Sequence, residues 1–266
     1  MKYLKTYLYS PNEINFINLN LQESYDHIDY FIICEYNVTT VGNDREYIFE
    51  KYKHLINPKY SNKILYFKCD LKHITQKSDT DSNIILGLNE KIMRSYFMKC
   101  LDFNDNDIII SVDCDEVIYK ESYDTIFKEV EQRDCVRIKL NQLFYKPSYH
   151  WTDCDFVAPT IAKYHVYKND FPCHWRNEGY VLDVPHGCHF SWVMEVDDMI
   201  TKLFSYGHPE YRSFADKAVL ESAIKNKIYP FNLNKPFMIE DLERTSNILP
   251  KSIQDTFYDV FWNKFK

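Results

Sequence analysis

A buried-strand pattern in the middle of the chain constrains the fold more than any other feature. Residues Asp107–Asp113 read D-I-I-I-S-V-D, a nearly continuous apolar run. Such a run is typical of a strand that is covered on both faces, as in the parallel sheets of α/β proteins. Ligands of open α/β sheets bind outside the carboxyl ends of the strands. The carboxylates of Asp113, Asp115 and Glu116 follow this strand at that end, so the segment predicts both a fold class and the place of a site.

The rest of the chain alternates between strand and helix patterns. Short apolar and aromatic runs predict further strands at Ile28–Glu35, Lys63–Lys68, Cys135–Leu143 and Phe156–Tyr167. Apolar residues spaced by three and four predict helices at Asn12–Tyr25, Asn89–Phe103 and Asp197–Ser205. This alternation favours an α/β fold with a mainly parallel central sheet flanked by helices. The sequence has no internal repeat and no linker rich in Gly, Ser or Pro, so we predict one domain over residues 1–266.

The charge balance gives no reason to expect nucleic acid as a partner. The chain carries 39 acidic and 32 basic side chains, a formal net charge of -7, without a long block of Lys and Arg. Nucleic acids and anionic membrane surfaces are bound mainly through such basic blocks. A ligand with a diphosphate group would need a bound cation to offset the local negative charge.

The sequence lacks the pattern of a membrane segment. Met1–Ser10 has no continuous apolar core of the kind found in signal peptides, and nowhere do the about 18 apolar residues of a spanning helix follow one another. The eight cysteines form no C-x-x-C pair, and several lie in apolar runs, as Cys34 does in Phe31–Cys34. Cysteines of this kind are typical of a reducing compartment. We therefore predict a cytoplasmic protein without a transmembrane segment.

The aspartates after the central strand have the spacing of a metal site. Residues i and i+2 of an extended segment point to the same side, so Asp113 and Asp115 can offer two carboxylates to one Mn²⁺ or Mg²⁺. Carboxylates at a strand end also often cap the next turn. The pair alone does not separate these two interpretations.

A phosphatase motif is the main chemical alternative. Asp113–Ile118 reads D-C-D-E-V-I and fits the D-x-D-x-[T/V]-[L/I] pattern of haloacid-dehalogenase-like phosphohydrolases, in which the first aspartate attacks phosphorus. That motif normally follows the first core strand, whereas here more than a hundred residues precede it, with a strand that ends at Glu35. The late acidic pair of such an enzyme would have to be Asp197-Asp198, which follows a poor strand. These points favour the metal site.

Five segments, in order, resemble glycosyltransferase family 17, the family of the β-1,4-mannosyl-glycoprotein β-1,4-N-acetylglucosaminyltransferase. Asn12–Ile17 is similar to the N-E-hydrophobic-D-L-L opening of the family, and Asp29–Thr39 to its D-x-F-V-I-V-E-x-N-x-T stretch. Glu90–Arg94 matches an E-x-x-x-R helix, and Asp107–Glu116 resembles the family's strand that ends in D-x-D-E. His189–Glu210 is similar to H-F-S-[YW] followed by K-L-x-S-x-x-H-x-E.

The resemblance implies a fold and a reaction. The expected fold is of the GT-A type, with a nucleotide-sugar-binding half at about residues 1–130, an acceptor and catalytic half at about 131–230 and a C-terminal extension at 231–266. The expected reaction is a metal-dependent, inverting transfer of a sugar, GlcNAc by family analogy, from a UDP-sugar donor to a hydroxyl of a glycan. A carbohydrate-binding protein that has lost catalysis is a further alternative.

The resemblance also implies roles for single residues. Asp113 and Asp115 would hold Mn²⁺ or Mg²⁺ together with His189, unless His189 is a buried structural histidine and His208 takes its place. Asp197 would remove the proton of the acceptor hydroxyl, although it could also be a favourable carboxylate in the first turn of a helix. The residues expected to bind the donor lie at strand ends or in the matched segments: Glu35, Asn37, Glu90, Arg94, Asp113, Glu116 and His208. Arg94 could also form an i,i+4 ion pair with Glu90, alone or together with donor binding.

Overall fold

Helices and strands alternate through the first half of the chain. The computed structural model describes residues 1–10, 12–73, 83–168, 176, 179–232 and 234–254. In chain order the first elements are β1 (Lys2–Leu8), α1 (Glu13–Ser24), β2 (Tyr30–Tyr36), α2 (Phe49–Tyr52), β3 (Ile64–Cys69), α3 (Asn83–Ser95) and β4 (Ile108–Ser111).

The second half is richer in strands. Its elements are β5 (Glu116–Ile118), α4 (Tyr123–Arg133), β6 (Cys135–Phe144), β7 (Tyr149–Trp151), β8 (Phe156–Lys163), α5 (Tyr164–Tyr167), β9 (Tyr180–Ser191), α6 (Val196–Ser205), α7 (Lys217–Asn226) and β10 (Ile239–Asp241). Within the described ranges, no helix has both the length and the apolar character needed to cross a bilayer.

The sheet is mixed. The strand order is β10-β7-β6-β8-β4-β1-β2-β3, with β9 beside β6 and β5 beside β9. Strands β3, β2, β1 and β4 are parallel neighbours, whereas β4 with β8, β8 with β6, β6 with β7 and β7 with β10 pair in antiparallel fashion. The antiparallel part arises because short connections, rather than crossover helices, join strands β6 to β8. The predicted α/β class is confirmed. Beyond the first four strands, β6 and β9 are also parallel neighbours, but β5 and β9 are antiparallel, so the prediction of a mainly parallel sheet is not confirmed.

Strand β1 has no counterpart among the predicted strands. Its sequence K-Y-L-K-T-Y-L carries two lysines, which are depleted in strands and are rarely fully buried. In the structure β1 nonetheless lies between β2 and β4, where Tyr3 is opposite both Tyr30 and Ile109. The side chain of Lys5 is completely buried. The sequence pattern misses this strand because a lysine is rarely buried completely, as Lys5 is here.

Two predicted elements end earlier than expected. Helix α3 ends at Ser95, and a single 3-10 turn follows it, so the predicted helix does not continue to Phe103. Strand β8 ends at Lys163, and the four residues up to Tyr167 form the helical turn α5. In both segments the apolar pattern continues beyond the last residue of the helix or strand, so the pattern does not show where α3 and β8 end.

Both faces of the sheet are covered by apolar side chains. Ile108 and Ile110 of β4 belong to one buried cluster, and Ile109 between them belongs to the other. Helix α1 covers the first face with Ile14 and Ile17, which are completely buried. Burial on both faces explains the continuous apolar run of β4, and it places the residues after β4 at the edge of the sheet.

Gly187 is the glycine at which a side chain is least tolerable. A Cβ atom at this position would lie 2.1 Å from the carbonyl oxygen of Val117 and 2.8 Å from a methyl carbon of Leu140. We expect Gly187→Ala to lower the free energy of unfolding by about 1–3 kcal/mol or more, because neighbouring strands must separate to admit the methyl group. Thermal unfolding followed by circular dichroism measures this loss.

Gly87 provides the matched control for that experiment. It lies inside helix α3, and a Cβ atom there would meet nothing within 4 Å. Gly87→Ala is expected to be neutral or to stabilise the protein by about 0.5–1 kcal/mol, since alanine is the better helix former. Equal melting temperatures for the two variants would contradict the close packing assigned to Gly187.

Candidate active site

A cavity of about 520 Å³ opens at the carboxyl ends of β1 and β4. Its walls come mainly from the residues after β1, the loop after β2, helix α3, the acidic turn after β4, the end of β9 and helix α6, together with Arg176. The side chains that matter below are Glu13, Arg94, Asp113, Asp115, Glu116, Arg176, His189 and Lys202, all of which line it. The predicted site at the sheet edge therefore coincides with a cavity.

Asp113 is held by two arginines. Arg94 Nη1 lies 2.5 Å from Asp113 Oδ1, and Arg94 Nη2 donates to Oδ2 at 3.0 Å. Arg176 Nη1 lies 3.2 Å from the same Oδ1. Burial alone would raise the pKa of Asp113, but the charges of Arg176 and Arg94 outweigh it and hold the pKa far below its usual range. Asp113 is therefore an anion at every physiological pH.

Arg94 forms the predicted helix ion pair and also contacts Asp113, whereas its part in donor binding stays a prediction. Its Nε donates to Glu90 at 2.8 Å, which confirms the i,i+4 ion pair, while its other two nitrogens reach Asp113. The guanidinium side chain is only 7% exposed, and it also lies over the ring of Tyr7. This bidentate geometry fixes a cation at the cavity wall.

Asp115 faces a different set of groups. Its Oδ1 lies 3.7 Å from His189 Nε2, and its Oδ2 lies 3.9 Å from Lys202 Nζ. Burial raises the pKa of Asp115, but the charge and hydrogen bond of His189 and the charge of Lys202 lower it by more. The imidazole of His189 is oriented by Gln142, which contacts its Nδ1 at 2.8 Å, and by stacking on Phe156 at 4.0 Å. Asp115 and His189 therefore present an oxygen and a nitrogen side by side.

Glu116 stabilises the acidic turn. Its carboxylate accepts the backbone N–H of Asp113 at 2.9 Å, and its own N–H donates to the Asp113 carbonyl at 3.0 Å. It is completely buried and forms an ion pair with Arg176. Burial raises the pKa of Glu116 in spite of this arginine. Glu116 thus contributes to the position of Asp113 and Arg176 more than to direct ligand contact.

Glu13 is a cavity residue for which the sequence predicts no role. It begins helix α1, and its carboxylate accepts the backbone N–H of Tyr9 and, at 3.1 Å, that of Ser10. Burial raises the pKa of Glu13 to about 7, although the hydrogen bond from the Tyr9 N–H and the charge of Lys202 lower it by more than the charge of Asp115 raises it. A carboxylate with a pKa near neutrality can accept a proton at physiological pH.

Two of the predicted donor-binding residues lie away from the cavity. Glu35 is completely buried, and its carboxylate accepts the N–H groups of Ile48 and Phe49 and the hydroxyl of Tyr66. Asn37 accepts from the Leu71 N–H at 3.0 Å and donates to Asp70 at 2.8 Å. Among the described residues, both side chains hold loops that follow β2 and β3, so their part in donor binding stays a prediction.

The predicted catalytic residue also lies outside the cavity wall. Asp197 is in the first turn of α6, its side chain is 77% exposed, and it pairs with Lys217 at 3.0 Å. Its neighbour Asp198 is half-buried and does line the cavity. Proton abstraction by Asp197 therefore stays a prediction, and the placement matches the alternative of a carboxylate that stabilises the start of a helix.

Of the two candidate histidines, His189 is the better placed. His208 lines the cavity, but its side chain is 57% exposed and its Nδ1 contacts Glu210 at 2.8 Å. His189 is 14% exposed and faces Asp115. Within the described part of the chain, Asp113, Asp115 and His189 do not form a group whose ligand atoms all lie within 4.8 Å of one another. The set fits a divalent cation through Asp115 and His189, while Asp113 is engaged by the two arginines.

The cavity as a whole carries excess negative charge. Its lining includes six carboxylates, namely Glu13, Glu90, Asp113, Asp115, Glu116 and Asp198, and four permanently cationic side chains, namely Arg45, Arg94, Arg176 and Lys202. A diphosphate placed there would add further negative charge. The donor set of carboxylates and imidazole suits Mn²⁺ or Mg²⁺, so the cavity has both the charge and the ligand types for such an ion.

Arg176 is the main site residue that no sequence pattern indicates. It is 60 positions from Glu116 in the chain, and its contacts with Glu116 and Asp113 arise only in the folded protein. Lys202, in contrast, lies within the matched segment His189–Glu210 and could have been selected from it.

The chain matches a known protein family over most of its length. The sequence model of glycosyltransferase family 17 matches residues 2–229. No curated protein sequence matches the chain. Among solved structures, the crystal structure of S. aureus TarS 1-349 is similar with 13% sequence identity and a TM-score of 0.31, over 53% of this chain and 36% of that chain. The aligned part thus spans about a third of that TarS structure. Because the family match covers most of the chain, the protein belongs to glycosyltransferase family 17.

Proposed function

We propose that the protein transfers a sugar, GlcNAc by family resemblance, from a UDP-sugar to a glycan hydroxyl with inversion and with Mn²⁺ or Mg²⁺. The observation that carries this proposal is the cavity at the sheet edge, whose lining combines Asp115 and His189 with three buried or half-buried cationic side chains. These cations are Arg94, Arg176 and Lys202. A mixed set of this kind can hold a divalent ion and a diphosphate together.

The cationic side chains supply direct contacts for the donor diphosphate. Arg94 and Arg176 have exposed fractions of 7% and 17% and lie together at Asp113. Guanidinium groups held in place bind phosphate oxygens by charge-assisted hydrogen bonds with little further loss of entropy. Lys202 approaches from α6 on the other side of the acidic turn. The diphosphate would therefore lie between these two groups of cations.

The cation would be held by Asp115 and His189, with Asp113 as the third ligand proposed from the sequence. When bound, such an ion offsets the negative charge that develops on the departing diphosphate. Gln142 and Phe156 orient the imidazole of His189. Outer contacts of this kind fix a ligand and increase metal affinity.

Inversion requires a carboxylate that accepts the proton of the attacking hydroxyl. Glu13 meets this requirement better than Asp197, because it lines the cavity and has a pKa of about 7. Asp197 points to solvent and is neutralised by Lys217. We propose Glu13 as the general base, and the comparison of Glu13 and Asp197 variants in the Discussion decides between the two carboxylates.

The geometry offers less support for a phosphohydrolase. In that reaction Asp113 would attack phosphorus with a free oxygen lone pair. Both of its oxygens are within hydrogen-bonding distance of Arg94, and Arg176 lies at 3.2 Å from one of them. A carboxylate engaged in this way is a poor nucleophile.

Metal dependence provides the direct test. We expect purified protein to release UDP from a matching UDP-sugar in the presence of Mn²⁺, to lose this activity after treatment with a chelator, and to regain it when Mn²⁺ is restored. p-Nitrophenyl phosphate should not be hydrolysed. Full activity of metal-stripped protein would contradict the role of the cation. Hydrolysis of the simple phosphate ester would favour the phosphohydrolase, and sugar binding without turnover would favour the carbohydrate-binding alternative.

A further inference from the structure

Three cysteines outside the cavity form one cluster. Cys34 lies in β2, Cys69 ends β3, and Cys100 follows the 3-10 turn after α3. The three sulphur atoms all lie within 4.8 Å of one another, and within the described residues this is the group of His, Cys, Asp and Glu side chains that meets this distance condition for a metal ion. None of the three lines the cavity described above.

The sheet register brings two of these cysteines together. In the parallel pair β2–β3, Cys34 is opposite Phe67 and Tyr36 is opposite Cys69. Residues two apart in a strand share a face, so Cys34 and Cys69 lie on the same side, in the same apolar cluster. The segment after α3 covers that side and adds Cys100 from above. The cluster is therefore fixed by regular secondary structure on two of its three sides.

A buried cation accompanies the thiols. Lys5 of β1 is completely buried, and within the described structure its Nζ has no hydrogen-bond partner. The ammonium group lies 5.4 Å and 5.5 Å from the ring centres of Tyr7 and Phe97. Burial and then the charge of Arg94 lower the pKa of Lys5 to about 8, and the nearby Cys34 acts in the opposite direction. An unpaired buried ammonium is costly, so a negative charge on the thiol cluster would stabilise it.

We propose that Cys34, Cys69 and Cys100 bind one divalent cation of the zinc class as three thiolates, with the fourth position left to water or another small ligand. Zn–S bonds of about 2.3 Å place sulphur atoms about 3.8 Å apart in tetrahedral geometry. The cluster therefore needs to close by no more than about 1 Å. Each S–metal bond forms as a thiol loses its proton to solvent, so three protons leave for one ion bound.

Charge balance selects a divalent ion. Three thiolates and a divalent cation carry a net single negative charge, which the ammonium of Lys5 can neutralise. A monovalent ion would leave a second buried negative charge without a partner. Soft thiolate ligands also exclude the Mg²⁺ or Mn²⁺ that suits the carboxylates of the cavity. The two sites would thus take different metals.

Cadmium is the appropriate probe, because its thiolate complexes absorb in the ultraviolet and its carboxylate complexes do not. We expect the full chain, reduced with a phosphine and kept without oxygen, to develop this absorption with a saturation point of one Cd²⁺ per chain. Cys100→Ser, at the half-buried member of the cluster, should weaken Cd²⁺ binding by more than about 100-fold, since loss of a ligand costs more than loss of an outer contact.

The controls separate this site from other cysteines and from the cavity. Cys154→Ser removes a half-buried thiol elsewhere and should leave Cd²⁺ binding unchanged. Lys5→Met keeps the length of the side chain and should weaken binding by about 10–100-fold. Circular dichroism melting confirms that each variant is folded. Absence of the absorption in fully reduced protein, or its persistence in Cys100→Ser, would overturn the site, and so would a disulfide within the cluster that survives the reductant.

Discussion

Replacement of Asp115 by asparagine is expected to reduce kcat of sugar transfer by roughly 10³-fold, with little change in the melting temperature. The reason is that Asp115 faces His189 at 3.7 Å and Lys202 at 3.9 Å, at the point where the cation is proposed to bind. Loss of several kcal/mol of charge stabilisation at a metal site corresponds to a rate effect of this size. Asparagine has nearly the same shape, so packing around the turn is preserved.

The measurement is a UDP-release assay at increasing Mn²⁺ concentration. If the Asp115→Asn substitution only weakens ion binding, the apparent affinity for Mn²⁺ falls, and a high Mn²⁺ concentration restores part of the rate. Asp105→Asn is the matched control, because Asp105 is a surface carboxylate paired with Lys168 at 2.7 Å; its kcat should equal that of the unchanged protein. A wild-type rate in Asp115→Asn at low Mn²⁺ would remove Asp115 from the metal site.

The central strand and its acidic turn are the parts of the molecule that the sequence predicts best. An apolar run such as Ile108–Val112 has few alternatives to burial on both faces, and the turn after it must then lie at the sheet edge. The ion pair of Arg94 with Glu90 is likewise predicted, from helix spacing and charge. Local pattern and short-range geometry are sufficient for these features.

The carboxylates outside the acidic turn show why a local sequence pattern is not sufficient to predict the role of a charged residue. Glu35 is the second-to-last residue of the buried strand β2, and Asp113 likewise lies close to the end of β4. The oxygens of Glu35, however, accept the backbone N–H groups of Ile48 and Phe49. Buried backbone N–H groups need hydrogen-bond acceptors, and the sequence does not show which carboxylate will accept them. Arg176 reaches Glu116 over 60 positions for reasons that exist only in the folded chain. Burial and long-range contact decide the function of charged residues here.

The assignment of Glu13 as general base leads to a large effect on rate and on its pH dependence. Glu13→Gln is expected to lower kcat by about 10²–10⁴-fold, the usual contribution of a positioned base. Since the base must be ionised, kcat/KM of the unchanged protein should fall as pH decreases through about 7, the pKa of Glu13 in the folded protein. The residual activity of Glu13→Gln should lack this acidic limb, because glutamine does not titrate.

A structural role for Glu13 would give a different result. Its carboxylate also accepts the N–H groups of Tyr9 and Ser10, and the amide oxygen of glutamine can still accept from them. The melting temperature of Glu13→Gln should therefore change little, and a loss of rate that comes with unfolding would count against the base. Asp197→Asn serves as the parallel variant, since Asp197 is exposed and paired with Lys217. If Asp197→Asn loses the rate and the acidic limb while Glu13→Gln retains both, the proton is removed by α6 and not by the start of α1.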